Sequence, residues 1–348
     1  MTEQSSERAI PGRIAVLGSG SWGTTFAKVL ADASPTTRVA LWSRRAEVAA
    51  EITEQHRNSR YLGNTRLPAN VTASDDVGAV LAGSELVVLA VPAQTLRAQL
   101  PAWRALIPDH AVVVSLMKGL EVGTDARMSE VIAEELAIPP HRIAVLSGPN
   151  LAPEIAREEP TASVVACPDH ATATWIAAAC TASYFRPYTS TDVIGVEIGG
   201  IVKNVIALAV GICEGRSMGD NTKASVITRG LAETTRLAVA LGGRPETMAG
   251  LAGMGDLIAT CSSALSRNHT AGRLLGQGLT LDQVTVRMNQ TAEGIKSAQA
   301  VLDSATKLDV DMPITAAVVA VLQGRLAVDD LGARLLARHL KPEGDPAP

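Results

Sequence analysis

From Arg13 to Ala33 the chain reads RIAVLGSGSWGTTFAKVLADA. RIAVL is a short apolar run with β-branched residues, the pattern of a buried strand. Gly18-Ser19-Gly20-Ser21-Trp22-Gly23 fits G-x-G-x-x-G, and TTFAKVLADA after it has the composition of a helix. Glycine-rich turns are common, so the match gains its weight from lying between a strand and a helix. Gly18 lets the chain turn tightly, Gly20 lets a pyrophosphate approach the backbone, and Gly23 lets the helix lie against the sheet. The free N–H groups of the first helical turn then face phosphate oxygens. A plain strand-to-helix turn would use the same residues, but the position and flanks favour a dinucleotide site.

The pattern repeats outward from this turn. Arg38–Trp42, Leu86–Val91, Ala111–Leu116 and Ile143–Leu146 are β-branched or leucine-rich runs that end near Gly, Pro or Ser. Weaker strands are expected at Ala162–Ala166 and Tyr184–Tyr188. Helical stretches separate these runs, the βαβ signature of a parallel sheet covered on both faces. After Thr191 the strand signal stops, and Val193–Glu214, Asn221–Leu241, Leu281–Gln290, Thr291–Leu308 and Pro313–Gln323 read as helices. The expected fold class is α/β: an N-terminal Rossmann-type doubly wound parallel sheet followed by an all-α C-terminal domain. The expected domains are a disordered tail over 1–11, a dinucleotide-binding domain over 12–190, a helical substrate and catalytic domain over 191–340, and a disordered tail over 341–348.

Composition narrows the function. A chain of 348 residues is longer than one core usually organises, so two domains are the default. Apolar residues make up 47% and aromatic residues 3%, so the core must be built from Val, Leu, Ile and Ala. A net charge of −4 supplies no basic field for nucleic acid, and no run of Lys or Arg suggests a membrane surface. An anionic substrate would have to be held by a few placed cations. Cys167, Cys180, Cys213 and Cys261 are widely spaced, which suits reduced thiols in a cytoplasmic protein. The histidines show no metal-ligand spacing, so no metal is expected. The first ten residues, MTEQSSERAI, hold no apolar stretch of a secretory signal. The most apolar helical stretch, Ile201 to Cys213, contains Lys203 and is too short to span a bilayer.

Polar residues at the expected strand ends carry the chemistry. At the end of the second strand, where NAD-specific sites carry an acid for the ribose 2′-OH, stands Ser43-Arg44-Arg45. An arginine pair suits the 2′-phosphate of NADP, although a solvated basic pair would look the same. Lys118 follows AVVVSLM, and Ser147-Gly148-Pro149-Asn150 follows IAVL; both lie where parallel sheets bind ligands, although Gly and Pro that simply make a turn would read the same. Lys203 lies in GVEIGGIVKNVIALAVG, with Glu197 and Asn204 making the stretch unusually polar and Gly199 and Gly200 leaving open space one turn earlier. Such a lysine must snorkel, find a partner or lower its pKa; in the last case it could protonate a developing alkoxide. Gly253-Met254-Gly255-Asp256 puts an acid on a tight glycine loop. Ser266 is a candidate N-cap, and Arg267 with the free N–H groups behind it would seat a phosphate, although an ordinary cap with an exposed arginine would look the same.

The stretches GSGSWGTTFA, LWSRR, YLGNTRLP, AVPAQTLR, LMKGLE, LSGPNLAPEIA, EIGGIVKNVIALAVGICEG, GLAGMGDLIATC, SRNHTAGRLLGQG, TAEGIKSA and MPIT occur in this order over roughly residues 12 to 325. Together they resemble bacterial NAD(P)-dependent glycerol-3-phosphate dehydrogenase. The resemblance implies reversible NADP(H)- or NAD(H)-dependent reduction of dihydroxyacetone phosphate to sn-glycerol 3-phosphate for phospholipid synthesis, in a cytoplasmic homodimer. It implies cofactor contacts at Gly18, Gly20, Ser21, Trp22, Gly23, Arg44, Arg45, Tyr61, Lys118, Ala152, Arg267, Thr291 and Glu293. It implies substrate contacts at Lys118, Gly148, Asn150, Lys203, Asp256, Ser266, Arg267 and Asn268, with Lys203 as proton donor and acceptor. Two positions depart from the family pattern: Asn150 stands where Ser or Thr is usual, and Thr291 where Val is common. Competing readings are another two-domain reductase, acting on a β-hydroxyacid or ketopantoate, and a dinucleotide sensor without catalysis.

Overall fold

Among the described residues eight strands build one sheet: β1 (Arg13–Leu17), β2 (Arg38–Trp42), β3 (Val71–Ser74), β4 (Leu86–Leu89), β5 (Val112–Ser115), β6 (Ile143–Ser147), β7 (Thr161–Ala166) and β8 (Phe185–Ser190). Their spatial order is β3-β2-β1-β4-β5-β6-β7-β8. The pairs β1–β2, β2–β3, β1–β4, β4–β5, β5–β6 and β7–β8 are parallel. The structure, a computed structural model, describes residues 8–288 and 292–332. Thr291 and the tail 341–348 lie outside the described residues, as does most of the expected tail 1–11. At its described end, the carbonyl oxygens of Ala9 and Pro11 accept from Trp175 Nε1 and Thr37 Oγ1.

The central strands are largely apolar because helices cover both faces. Ile14–Leu17 of β1 and Leu86–Leu89 of β4 are fully buried. The expected strands lie within one or two residues of those observed. β3, Val-Thr-Ala-Ser, is the strand the sequence does not announce: it is short and half polar because it forms an edge of the sheet. β8, the opposite edge, tolerates Pro187 for the same reason. The strand order reverses between β1 and β4, and the glycine turn leaves the carboxyl end of β1 at this switch point.

The chain falls into two compact units. The first comprises the described residues up to Met117 with Ser129–Leu146 and Ala152–Val193. The second comprises Lys118–Met128, Ser147–Leu151 and the described residues from Ile194 onward. A single boundary near residue 190 therefore does not describe the division. Two segments that follow sheet strands go with the helices, because their side chains pack and bond there.

The second unit is built on the helix Val193–Gly215, buried over nearly its whole length. Among the described residues it is the single helix long and apolar enough, by length and composition, to cross a bilayer; 94% of its most apolar window is buried inside the protein. At 23 residues it is longer than the expected apolar stretch, and its burial, not its length, marks it as a core helix. The helices Asp220–Ala240, Asp256–Ser262, Arg267–Gly276, Leu281–Arg287, Glu293–Lys307 and Pro313–Leu322 belong to the same unit. Glycines set one crossing: a Cβ at Gly211 would lie 2.2 Å from the carbonyl oxygen of His269, and one at Gly272 2.1 Å from that of Leu208. The two backbones are therefore in direct contact. Pro313–Leu322 has no capping side chain of its own. Glu233 caps it from another helix, accepting from Ile314 N at 2.6 Å and Thr315 N at 3.2 Å. Burial pushes this carboxyl up to about 7.

Candidate functional site

The three glycines of the first turn are required for different reasons. Gly18 has φ +128°, and a Cβ there would lie 2.4 Å from the carbonyl oxygen of Ala90. A Cβ on Gly23 would lie 2.0 Å from the carbonyl oxygen of Gly18. Both glycines are imposed by the protein's own packing. Gly20 has φ −71° and ψ 177°, which any residue adopts, and a Cβ on it would meet nothing within 4 Å. Its small size leaves open space beside the start of helix Ser21–Ala33, where no side chain caps the first turn. That space and those N–H groups fit a pyrophosphate. Trp22, on the same turn, has its Nε1 buried without a hydrogen-bond partner.

Neighbouring residues hold the turn. Ser19 Oγ donates to Ser43 Oγ at 2.8 Å, tying it to the end of β2. Asn58, fully buried, donates to Ser19 O at 3.0 Å and Thr24 Oγ1 at 2.8 Å; nothing in its sequence surroundings marks this role. Arg44 is exposed. Arg45 donates to Tyr61 OH at 3.3 Å, with its guanidinium 5.8 Å from the ring centroid. Arg44 and Arg45 thus follow directly on the strand tied to the turn, and Tyr61 stands beside Arg45. Ala152 O accepts from Thr25 Oγ1 at 3.3 Å, which places it beside the turn's helix.

In the second unit the expected residues converge on one buried carboxylate. Asp256, 1% exposed, accepts from Lys203 Nζ on Oδ1 and from Lys118 Nζ on Oδ2, both at 2.6 Å. Lys203 also donates to Thr260 Oγ1 at 2.6 Å, and Lys118 to Gly148 O at 3.0 Å. The residues before Asp256 form a π-helical turn, Leu251–Gly255, instead of the tight loop expected, and Asp256 opens the helix Asp256–Ser262. Thr260 stands one turn further on, which is how its hydroxyl reaches the same ammonium. Gly199 and Gly200 do not leave open space: Ala252 O and Ser147 Oγ each lie 2.4 Å from where a Cβ would stand. Burial lowers the Lys118 pKa to about 8; the Asp256 charge opposes this shift and the Lys203 charge adds to it.

The other expected substrate residues occupy the same unit. Both amide atoms of Asn150 are buried without a partner, so its donor and acceptor are available to a ligand. Ser266 is the N-cap expected, accepting from His269 N at 3.2 Å, and Arg267 opens the helix behind it. Asn268 is committed on both sides of its amide: Nδ2 donates to Asn204 Oδ1 and Oδ1 accepts from Gly294 N, both at 2.9 Å. Burial raises the Glu293 pKa, opposed by Arg267, Lys118 and Lys203, so this acid shares the electrostatic neighbourhood of those cations. Thr260 and Asn204 join the site without having been singled out as ligands. The i, i+4 spacing of Thr260 from Asp256 is the signal that could have found it. Among the described residues no group of His, Cys, Asp or Glu could hold a metal ion.

Residues 13–173 match the family profile for the N-terminus of NAD-dependent glycerol-3-phosphate dehydrogenase, and residues 192–333 match the profile for its C-terminus. The chain is 56% identical over 331 residues to glycerol-3-phosphate dehydrogenase (NAD(P)+) of Thermobifida fusca, an alignment spanning 95% of this chain and 98% of that relative. The crystal structure of glycerol-3-phosphate dehydrogenase from Coxiella burnetii superposes with a TM-score of 0.89 at 36% identity, covering 95% of this chain and all of that one. The enzyme from Saccharomyces cerevisiae gives a TM-score of 0.81 at 28% identity, over 93% and 99% of the two chains. The chain therefore belongs to the NAD(P)-dependent glycerol-3-phosphate dehydrogenase family, oxidoreductases that use a nicotinamide cofactor on a CH–OH group of a small phosphorylated substrate.

Proposed function

We propose that Lys203 is the proton donor and acceptor in the interconversion of dihydroxyacetone phosphate and sn-glycerol 3-phosphate. The observation that carries this is the pair of 2.6 Å bonds from Lys203 Nζ to Asp256 Oδ1 and Thr260 Oγ1. An ammonium group has three N–H donors. Two are fixed by these bonds, and the third is left for the substrate carbonyl oxygen. A nicotinamide cofactor held at the glycine turn would supply the hydride for reduction of the carbonyl carbon. Lys203 meets the negative charge that develops on the oxygen and passes it a proton. In oxidation the neutral amine takes the hydroxyl proton. Asp256 holds both lysines in place through its two oxygens.

Arg267, Ser266, Asn268 and the helix start at Arg267 are assigned to the substrate phosphate, and Gly148, Asn150 and Lys118 to the rest of the substrate. The turn Gly18–Gly23 with Ser21 and Trp22 is assigned to the pyrophosphate, Arg44, Arg45 and Tyr61 to the adenosine end, and Ala152 and Glu293 to further cofactor contacts. The product is the backbone of phospholipids, so we assign the enzyme to lipid synthesis. Four buried free thiols suit a cytoplasmic setting, and the family resemblance supports a homodimer.

The test is Lys203→Ala. Turnover of dihydroxyacetone phosphate should fall by about 10²–10⁴, while the Kd for NADPH, followed by fluorescence titration, stays within a few-fold. Near-normal turnover would remove Lys203 from the mechanism.

A further inference from the structure

We propose that Arg127 is a positioning residue that sets Lys118 against Asp256 through its buried ion pair with Glu197. The inference rests on the reading of Lys118 as a substrate contact. Lys118 begins a segment, Lys118–Met128, that packs with the helical unit. The segment doubles back on itself: Leu120 and Arg127 form an antiparallel bridge, and Glu121 N donates to Ala126 O at 2.9 Å. Leu120, 1% exposed, is part of the helical core, so Lys118 stands two residues from an anchored position.

Arg127 closes the base of this small hairpin. Its Nη1 donates to Glu197 Oε2 at 2.6 Å, with the two side chains 12% and 3% exposed. Glu197 lies on Val193–Gly215, the helix that also carries Lys203. The contacts therefore form a circuit that starts and ends on one helix. It runs from Glu197 to Arg127, through the bridge to Leu120, along the chain to Lys118, then to Asp256 and back to Lys203. At the far end of the hairpin Lys307 Nζ bonds Asp125 Oδ2 at 2.6 Å, but Lys307 is 64% exposed and holds the tip weakly. The buried pair at the base is the stiff constraint. Lys118 has its ammonium shared between Asp256 and Gly148 O, so a small displacement of its backbone moves the donor left for the substrate.

A double-mutant cycle tests this, with Arg127→Met, Lys118→Ala and the double variant assayed for kcat/KM with dihydroxyacetone phosphate. Arg127→Met should lower kcat/KM roughly ten- to hundredfold while the Kd for NADPH is unchanged. In the Lys118→Ala background the same substitution should cost less than about twofold, because its effect runs through Lys118. Multiplying losses, or an Arg127→Met enzyme with full activity, would overturn the proposal while leaving Lys118 in the site. A fully active Lys118→Ala enzyme would overturn both. Should Arg127→Met fail to fold, Glu197→Gln loosens the same contact from the helix side and is read by the same cycle.

Discussion

Lys203 and Asp256 stand 53 positions apart in the chain and meet at 2.6 Å, Nζ on Oδ1. The other oxygen of the same carboxylate holds Lys118 at an equal distance. One buried negative charge thus keeps two ammonium groups together that would otherwise repel each other.

Asp256→Asn tests that arrangement. An amide offers one acceptor and turns a donor toward the other lysine. We expect kcat to fall by about 100-fold or more and stability by roughly 3–5 kcal/mol, the usual cost of breaking a buried charge pair. Steady-state kinetics and a urea melt on the same preparation measure both. An active, equally stable variant would show that the two lysines do not depend on Asp256.

Lys118, with its pKa lowered from 10.5 to about 8, gives a pH signature. Below about 8 it is charged and able to hold an anionic substrate; above, it is neutral, so kcat/KM should decline through that value. Stability runs the other way. Between about 8 and 10.5 the unfolded chain keeps a proton that the folded protein has released, so this group's contribution to stability rises with pH. Lys118→Ala should remove both trends. Profiles of kcat/KM and Tm from pH 7 to 10 check the signs.

The glycine turn separates fold from function. Gly20→Ala meets no atom and needs no unusual backbone, so its Tm should match the parent within about 2 °C. The added methyl enters the space assigned to the pyrophosphate, and the KM for the cofactor should rise at least about tenfold. Gly18→Ala and Gly23→Ala collide with backbone carbonyl groups and should lose several kcal/mol of stability, on the order of 3 or more. Thermal melts with cofactor titrations distinguish the two classes.

The proposed contact of Arg44 and Arg45 with a 2′-phosphate bears on cofactor choice. Their replacement by Ala should raise the KM for NADPH about 10- to 100-fold, the loss of one or two charge-assisted contacts, and alter the KM for NADH little. Equal effects on both cofactors would assign these arginines a purely structural role.

Much of this was legible in the sequence because the signals are local. The strand β1, the turn at Gly18–Gly23 and the helix behind it follow from adjacent residues, and so does the cap at Ser266. Lys203 stands out locally as a lysine on an apolar stretch and Asp256 as an acid beside glycines, but their bond to each other does not, since no local rule joins residues 53 apart. Asn58 shows the limit clearly: it is a polar residue in an unremarkable loop, and only the tertiary fold brings its amide under the turn. The segments 118–128 and 147–151 read with the strands they follow, because continuity of chain is visible in a sequence and the side on which a loop packs is not. β3 is not legible because an edge strand needs no continuous apolar run.

The contact of Gly211 with His269 O, and of Gly272 with Leu208 O, has a consequence for how the family can change. A joint made of backbone has no rotamers to exchange and no volume to trade, so drift by small repacking steps is closed to it. The helix bearing Lys203 is in that sense a fixed datum. Divergence toward another substrate has to be written in the segments around it, and not in the helix itself.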